Sequence, residues 1–214
     1  MPEFQNKSSN GIIFVLSAPS GTGKTSLCKH IANSLDNVCA SVSVTTRASR
    51  PNEQEGKDYF FVSEADFHMH QAESRFIEWT QVHDHFYATP LDYILECFTK
   101  KKDVICALDQ MGLKKLKSHS GLKGEVVSIF LVPPNRDALK ARLEQRGQDS
   151  PEVISRRLLA SGFEMEQWIH YDYIVFNDDF FVAASEITTI IRAEKLKNVR
   201  QCSRVKKIVE EWRR

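Results

Sequence analysis

A glycine-rich loop between a buried strand and a helix constrains this chain more than any other feature. The run Ile12–Leu16 is wholly apolar and contains β-branched residues, which is typical of a buried strand. The loop Ser17–Gly23 follows, and Leu27, Ile31 and Leu35 then recur at helical spacing. Glycines let consecutive backbone N–H groups turn toward an anion, and the new helix adds its positive N-terminal end. The order strand, loop and helix therefore predicts a phosphate-binding loop.

Lys24 and Thr25 end this loop with the side chains that a nucleoside triphosphate requires. In loops of the spacing G-x-x-x-x-G-K-[ST], the lysine reaches the β- and γ-phosphates and the hydroxyl ligates Mg²⁺. Ala18 stands where that spacing has its first glycine, and we expect a methyl group to be tolerated there if φ is negative. The predicted ATP-binding residues of the loop are Ala18, Pro19, Ser20, Gly21, Thr22, Gly23, Lys24, Thr25 and Ser26.

Composition describes an ordinary globular chain. Its 214 residues are 42% hydrophobic and 27% charged, enough for a sizeable core. The net charge of +1 argues against a non-specific nucleic-acid binder, and the first apolar run is too short for a signal segment or a membrane span. Five cysteines without a C-x-x-C pair favour reduced thiols. We therefore expect a cytoplasmic protein with no nucleic-acid or membrane partner.

Apolar strands alternate with helical segments along most of the chain. Core strands are predicted at 104–108, 126–132 and 173–176, with helices at 91–99 and 182–196 and a helical region at 137–167. This alternation predicts a parallel sheet covered on both faces. Shorter runs at 40–46, 59–62, 76–82 and 85–88 predict a small mixed sheet, and Ser63-Glu-Ala-Asp66 predicts a capped helix beside it.

Several further motifs follow the loop in a fixed order. They are S-x-T-T-R-x-x-R-P from Ser43, D-Y-F-F-V from Asp58, E-W at Glu78, R-L-x-x-R-G-x-D-S from Arg142 and Y-D-Y-I-V-x-N-D-D from Tyr171. Together with the loop, these motifs resemble the guanylate kinase family over residues 11–198. The resemblance implies transfer of the γ-phosphoryl group of ATP to GMP or dGMP, with Mg²⁺ as the cofactor bound with ATP.

The resemblance also implies a fold and its division. The expected class is α/β: a three-layer P-loop core with a parallel sheet, a small mixed α/β subdomain that binds the nucleoside monophosphate, and a helical lid. Residues 11–41, 95–134 and 168–198 would form the core, 42–94 the GMP-binding subdomain and 135–167 the lid. Residues 1–10 would be a flexible tail, and 199–214 a basic helical tail with self-association as an alternative role.

The implied acceptor site recognises guanine by its hydrogen-bond donors. Guanine presents N1–H and an exocyclic amine on one edge, and the carboxylate of Glu78 would accept from both. Ser43 and Thr89 would add short hydroxyls, and adenine would offer the wrong pattern. Arg47 and Arg50 would clamp the monophosphate beside two phenolic hydroxyls. The implied GMP-binding residues are Ser43, Arg47, Arg50, Tyr59, Glu78, Tyr87, Thr89 and Asp109.

Arginines carry the implied catalytic chemistry. By resemblance, Arg142 and Arg146 would contact ATP and the transferring phosphoryl group, and Arg157 would complete the clamp when the lid closes. With Lys24 and Arg47 they form the expected catalytic set. Asn177 would touch the adenine or the loop. From the residues alone, plain surface arginines, a core role for Tyr59 and an outward-facing Glu78 remain open alternatives.

The chain departs from the family pattern near the acceptor. Asp109 follows a predicted strand and matches the second acid of an acid-x-D-x-Q-G pattern, whose first acid and glutamine are replaced by Ala107 and Met111. Ala88 replaces a family glycine, and Gln110 is a candidate substitute for a lost contact. Two rival functions stay open: a related kinase acting on another acceptor such as ribose bisphosphate, and a binding module. The pairs His68/His70 and His83/His85 are interpreted as surface histidines rather than metal ligands.

Overall fold

A computed structural model describes residues 11–51, 53–82, 84–119, 122, 125–145 and 150–214. The predicted tail 1–10, His83 and Arg146 lie outside these described residues. The strands are β1 Ile12–Ser17, β2 Val38–Ala40, β3 Ser43–Thr45, β4 Tyr59–Phe61, β5 Phe76–Val82, β6 His85–Pro90, β7 Asp103–Ala107, β8 Glu125–Val132 and β9 Tyr173–Phe176. The helices are α1 Lys24–Ser34, α2 Glu64–Ala72, α3 Leu91–Thr99, α4 Gln110–Ser118, α5 Arg136–Gln145, α6 Pro151–Met165, α7 Phe180–Leu196 and α8 Asn198–Trp212, with a 3-10 turn at Glu166–His170.

Five parallel strands form the larger sheet in the order β2-β7-β1-β8-β9. All six residues of β1 are buried, with Phe14 paired with Ile105 on one side and Val127 on the other. Apolar side chains of α1 and α7 cover one face of this sheet, and those of α3 and α4 cover the other. The predicted three-layer core with a parallel sheet is confirmed, because a strand buried on both faces needs helices above and below it.

Four short strands form a second, mixed sheet in the order β4-β3-β6-β5. β3 is parallel to β4 and antiparallel to β6, which in turn pairs antiparallel with β5. Its core comprises Val44, Phe67, Phe76 and Ala88. The methyl group of Ala88 therefore packs in the buried core of this sheet. Ser63 caps α2 by accepting from the backbone N–H of Asp66 at 3.0 Å, as the sequence predicts.

The alternating run 40–46 is divided between the two sheets, because the chain leaves one sheet and enters the other within it. β2 ends at Ala40 in the parallel sheet, where the N–H of Ser41 makes a final bond to the carbonyl of Ile105 at 2.8 Å. β3 begins at Ser43 in the mixed sheet. Alternation of apolar and polar residues predicts extended backbone, but it does not indicate which sheet a strand joins.

Two helices form the arginine-rich region. α5 and α6 pack together through Leu139, Leu143, Ile154 and Leu158. α8 is a helix, as predicted for the basic tail, and none of its residues is buried. α4 was not predicted, although Asp109 gives the signal for it: the side chain caps the helix by accepting from the N–H of Gly112 at 2.7 Å. Within the part of the chain that the structure describes, no helix has the length and apolarity to span a membrane.

Candidate functional site

Two glycines give the phosphate-binding loop its shape. Gly21 and Gly23 have φ of 92° and 104°, in the left-handed region that residues with a side chain rarely adopt. A Cβ at Gly21 would also stand 2.9 Å from a side-chain carbon of Leu143. Ala18 is not among the described non-glycine residues with positive φ, and its side chain joins the core. Alanine at this position is therefore compatible with the loop, as expected.

Lys24 begins α1 and lies back along the loop. Its Nζ donates to the carbonyl of Ala18 at 2.5 Å and reaches the carbonyl of Pro19 at 3.5 Å. Gly23 precedes α1 and has no side chain with which to cap it, and the first turn of α1 contains no acidic residue. The start of α1 therefore retains its positive end for an anion.

A first cleft, the donor cleft, lies beside this loop. Its lining comprises Gly21, Thr22, Gly23, Ser26, Arg142, Gln145, Asn177 and Phe180. Arg142 donates to the carbonyls of Thr22 at 3.3 Å and Asn177 at 3.2 Å. The side-chain amide of Asn177 also donates to the carbonyl of Thr22, at 2.6 Å. The structure thus brings Arg142 and Asn177 to the loop from two different elements, as the resemblance implies.

Arg157 is not brought to the donor cleft. It lies half-buried on α6, where its carbonyl accepts from Ser161. One α6 side chain that the sequence motifs did not reveal contacts the loop: the carboxylate of Glu164 accepts from the N–H of Ser20 at 3.3 Å. No local pattern distinguishes this acid from other helical acids, because the contact joins residues 144 positions apart.

A second cleft, the acceptor cleft, separates α1 and the end of β7 from the mixed sheet, with a volume of about 240 Å³. Five predicted GMP-binding side chains line it from strands of the mixed sheet: Ser43, Tyr59, Glu78, Tyr87 and Thr89. Thr25 and Asp109 line it from the parallel-sheet side. Thr25 of the phosphate-binding motif and the residues of the implied acceptor site therefore face the same cavity.

Glu78 is the acceptor cleft's most informative carboxylate. Burial is the main reason its pKa is raised, and the negative charge of Asp109 adds to the effect. The hydroxyl of Thr89 donates to the carboxylate at 2.7 Å, and this hydrogen bond acts to lower the pKa. Thr89 itself is 1% exposed. A half-buried carboxylate with one fixed donor keeps further lone pairs for a ligand that carries N–H donors.

Arg47 lies beside Tyr59, which lines the acceptor cleft, and is held by a partner that the motifs did not identify. Its Nη2 donates to both carboxylate oxygens of Glu53, at 2.7 and 2.8 Å, and Nη1 donates to the carbonyl of Ala48 at 2.7 Å. The guanidinium lies 5.5 Å from the ring centroid of Tyr59. Arg50 is exposed and donates its backbone N–H to Glu53 at 3.0 Å. Glu53 thus orders both arginines of the motif.

The departures at the end of β7 have separate locations. Ala107 lines the acceptor cleft, so a methyl group stands where the family pattern has an acid. Met111 is 59% exposed, and the side-chain amide of Gln110 donates to Gln167 in the 3-10 turn. Gln110 lines a different cavity, so it does not substitute for a contact within the acceptor cleft.

Magnesium ligation depends on few side chains of this chain. Among the described residues, no group of three or more His, Cys, Asp and Glu side chains could hold a metal ion. The Thr25 hydroxyl is exposed at the start of α1 and faces the acceptor cleft. That donor fits an ion that takes most of its ligands from phosphates and water, as Mg²⁺ does.

Known proteins resemble the chain over nearly its whole length. The family model described as "Guanylate kinase" matches residues 11–194. A guanylate kinase of Rhizobium meliloti is 40% identical over 191 residues, which are 89% of this chain and 86% of that protein. One from Nitrosomonas europaea is 40% identical over 200 residues, or 94% of this chain and 98% of that protein. The crystal structure of guanylate kinase from Anaplasma phagocytophilum matches with a TM-score of 0.70 and 35% identity, covering 90% of each chain.

Proposed function

This chain belongs to the guanylate kinase family, and from that premise we propose which of its residues transfer the γ-phosphoryl group of ATP to GMP. The observation that carries the proposal is the acceptor cleft, which Thr25 lines from the phosphate loop and Glu78 from the mixed sheet. Thr25 of the phosphate-binding motif, facing a half-buried carboxylate that can accept from N–H donors, supports a kinase whose second substrate is a guanine nucleotide.

Glu78 and Thr89 recognise the base in this proposal. The carboxylate accepts from N1–H and the exocyclic amine of guanine, while the Thr89 hydroxyl fixes the carboxylate's orientation. Ser43 adds a hydroxyl on the same cleft wall. Adenine would place an unprotonated ring nitrogen against the carboxylate, and mismatched buried polar groups support discrimination on the order of 10⁴-fold.

The acceptor phosphate is held by two arginines and two tyrosines in this proposal: Arg47, Arg50, Tyr59 and Tyr87. The rings of Tyr59 and Tyr87 lie 6.0 Å apart, and Arg47 lies against the first of them. Glu53 keeps the Arg47 guanidinium in place without a ligand, so less side-chain freedom remains to be lost on binding. The nucleophile is an ionised phosphate oxygen, so no general base is required.

The donor phosphates are bound by the loop Ser17–Gly23, Lys24 and Arg142. Lys24 exchanges the carbonyl of Ala18 for phosphate oxygens, and Asn177 supports the loop through Thr22. Arg146 and Arg157 join when residues 135–167 close as a lid over residues 42–94, which bind the acceptor. The arginines neutralise charge on the transferring group, so catalysis consists of positioning and electrostatic stabilisation.

Mg²⁺ would be held by Thr25 together with the phosphates of ATP. When bound, it neutralises charge on the β- and γ-phosphates. Asp109 is the acid that remains at the end of β7, and its carboxylate already caps α4. Because Ala107 replaces the first acid of the family pattern, Asp109 would be the one carboxylate at the end of β7 that could contact the water molecules around the metal.

An acceptor panel tests the proposal. ADP release is measured with ATP and Mg²⁺ and each of GMP, dGMP, AMP, CMP, UMP and ribose bisphosphate. We expect turnover with GMP and dGMP and at most traces with the other acceptors. Strong turnover with a different acceptor would refute the proposed acceptor site. Absence of turnover with every acceptor, from folded protein, would instead indicate a binding module.

A further inference from the structure

An ion pair joins the two sides of the acceptor cleft. Lys29 lies one helical turn after Thr25 on α1, and both side chains line the cleft. Asp58 lies in the turn before β4, next to Tyr59, and also lines the cleft. The ammonium group of Lys29 donates to Oδ1 of Asp58. The pair thus connects the helix that begins at the phosphate loop to the mixed sheet.

The turn that carries Asp58 holds the carboxylate in place. Its second oxygen, Oδ2, accepts from the N–H of Gln54 at 2.9 Å, and the N–H of Asp58 donates to the carbonyl of Gln54 at 3.0 Å. The hydrogen bond from Lys29 is the largest cause that lowers the pKa of Asp58. One carboxylate oxygen is therefore fixed by the sheet's own backbone and the other by α1.

Both ends of the pair are tied to groups that hold phosphate. On one side, α1 is anchored in the core by Leu27 and Ile31 and begins at Lys24. On the other side, Tyr59 follows Asp58 directly and contacts Arg47. The separation between α1 and this turn therefore governs the separation between the donor and acceptor phosphates.

We infer that Lys29 and Asp58 are positioning residues, which bias the acceptor cleft toward the closed arrangement in which the two phosphates meet. The inference rests on the proposed function. The side chains of Lys29 and Asp58 are 43% and 22% exposed, so water screens their attraction, and a pair of this kind shifts an equilibrium about 1.5- to 5-fold. A bias of this size suits a cleft that must reopen in every turnover to release product.

A double-mutant cycle tests the pair. Asp58→Asn, Lys29→Gln and the double variant are compared with wild type for kcat and for KM of GMP and ATP. We expect each single variant to lower kcat/KM for GMP about 2- to 5-fold, chiefly through KM, with KM for ATP unchanged. The double variant should lose no more than the singles, because one interaction is removed in each case.

A matched pair provides the control. Glu96 on α3 and Lys100, the residue that follows α3, form an exposed i,i+4 ion pair at 2.5 Å, and neither residue lines the acceptor cleft. Glu96→Gln and Lys100→Gln change the charge in the same way and should leave the kinetics of GMP unchanged. Raising NaCl from about 0.05 to about 0.5 M should bring the ratio of kcat/KM for GMP between wild type and Asp58→Asn toward one, because salt screens the attraction between Lys29 and Asp58.

Three results would overturn the inference. They are single variants indistinguishable from the controls, losses that add in the double variant, and a loss above about 100-fold in Lys29→Gln, which would mean that Lys29 contacts phosphate itself. If Asp58→Asn does not fold, two measurements decide the question: Lys29→Gln against Lys100→Gln, and the same salt titration carried out on the ratio of wild type to Lys29→Gln. Wild-type turnover of GMP tests the proposed function separately, and the cycle is measured with whichever acceptor wild type phosphorylates.

Discussion

Replacing Glu78 by glutamine separates recognition of guanine from stability of the fold. The variant keeps the shape of the side chain but removes its charge and places an amide donor in a site that faces guanine donors. Loss of a hydrogen bond to a charged group costs about 1.5–3 kcal/mol, and an N–H group left unpaired on burial costs about 1–3 kcal/mol more. The sum, about 2.5–6 kcal/mol, predicts a fall in kcat/KM for GMP of about 10²- to 10⁴-fold.

The same substitution should leave the free energy of unfolding unchanged or raise it. Burial raises the pKa of Glu78, so the folded state binds its proton more tightly than the unfolded state does. Ionisation of this carboxylate therefore costs stability as pH rises from the ordinary glutamate pKa through the raised one, and that cost remains at neutral pH. Because glutamine carries no charge, we expect the melting temperature of the variant at neutral pH to equal or exceed that of wild type.

The assay is steady-state kinetics with GMP varied at saturating ATP, then with ATP varied, together with a thermal melt. Glu73→Gln is the control, because Glu73 is a half-exposed acid on the segment between α2 and β5. Retention of kcat/KM for GMP within tenfold would refute the assigned role. Equal losses toward GMP and ATP, or a large fall in melting temperature, would show that Glu78 acts in the structure instead.

Three further predictions concern the same site. Lys24→Met should lower kcat by about 10²- to 10³-fold with little change in melting temperature, because the ammonium donates to the loop carbonyls of Ala18 and Pro19; retained activity would contradict the phosphate role. A pH–rate profile should show kcat/KM for GMP falling on the acid side above the ordinary glutamate pKa, since Glu78 must be ionised to accept two donors, whereas Glu78→Gln should keep only the acid limb of the acceptor phosphate, whose second pKa is about 6. Gly21→Ala should weaken ATP affinity, measured by calorimetry, because φ of 92° costs an alanine about 1–2 kcal/mol and its methyl would press on Leu143; wild-type affinity would show that the loop adjusts freely.

Much of the fold was predictable from local pattern. The strand Ile12–Ser17, the loop and α1 are one contiguous signal, and α3 Leu91–Thr99 and β9 Tyr173–Phe176 have the predicted bounds. These segments succeed because apolar periodicity, capping residues and turn residues all act over a few neighbours along the chain. Alternation alone does not reveal that β2 and β3 belong to different sheets, since the choice of sheet depends on strands that are distant in sequence.

The candidate site shows the same division. Motifs in a fixed order pointed to Ser43, Glu78 and Thr89, and these side chains do meet in one cleft. Arg157 does not line the donor cleft, and its place in the site remains a prediction about lid closure.

The phosphate-binding loop, the three-layer core and the family could be predicted without a structure, because each depends on residue types at short, fixed spacings. The partners that hold the loop and the arginines could be found only in the folded chain. Glu53 against Arg47, Glu164 against Ser20 and Lys29 against Asp58 are contacts between ordinary polar and charged residues. A charge at the surface has no periodicity and no required neighbour, so its partner is selected by the distance that folding leaves between two elements.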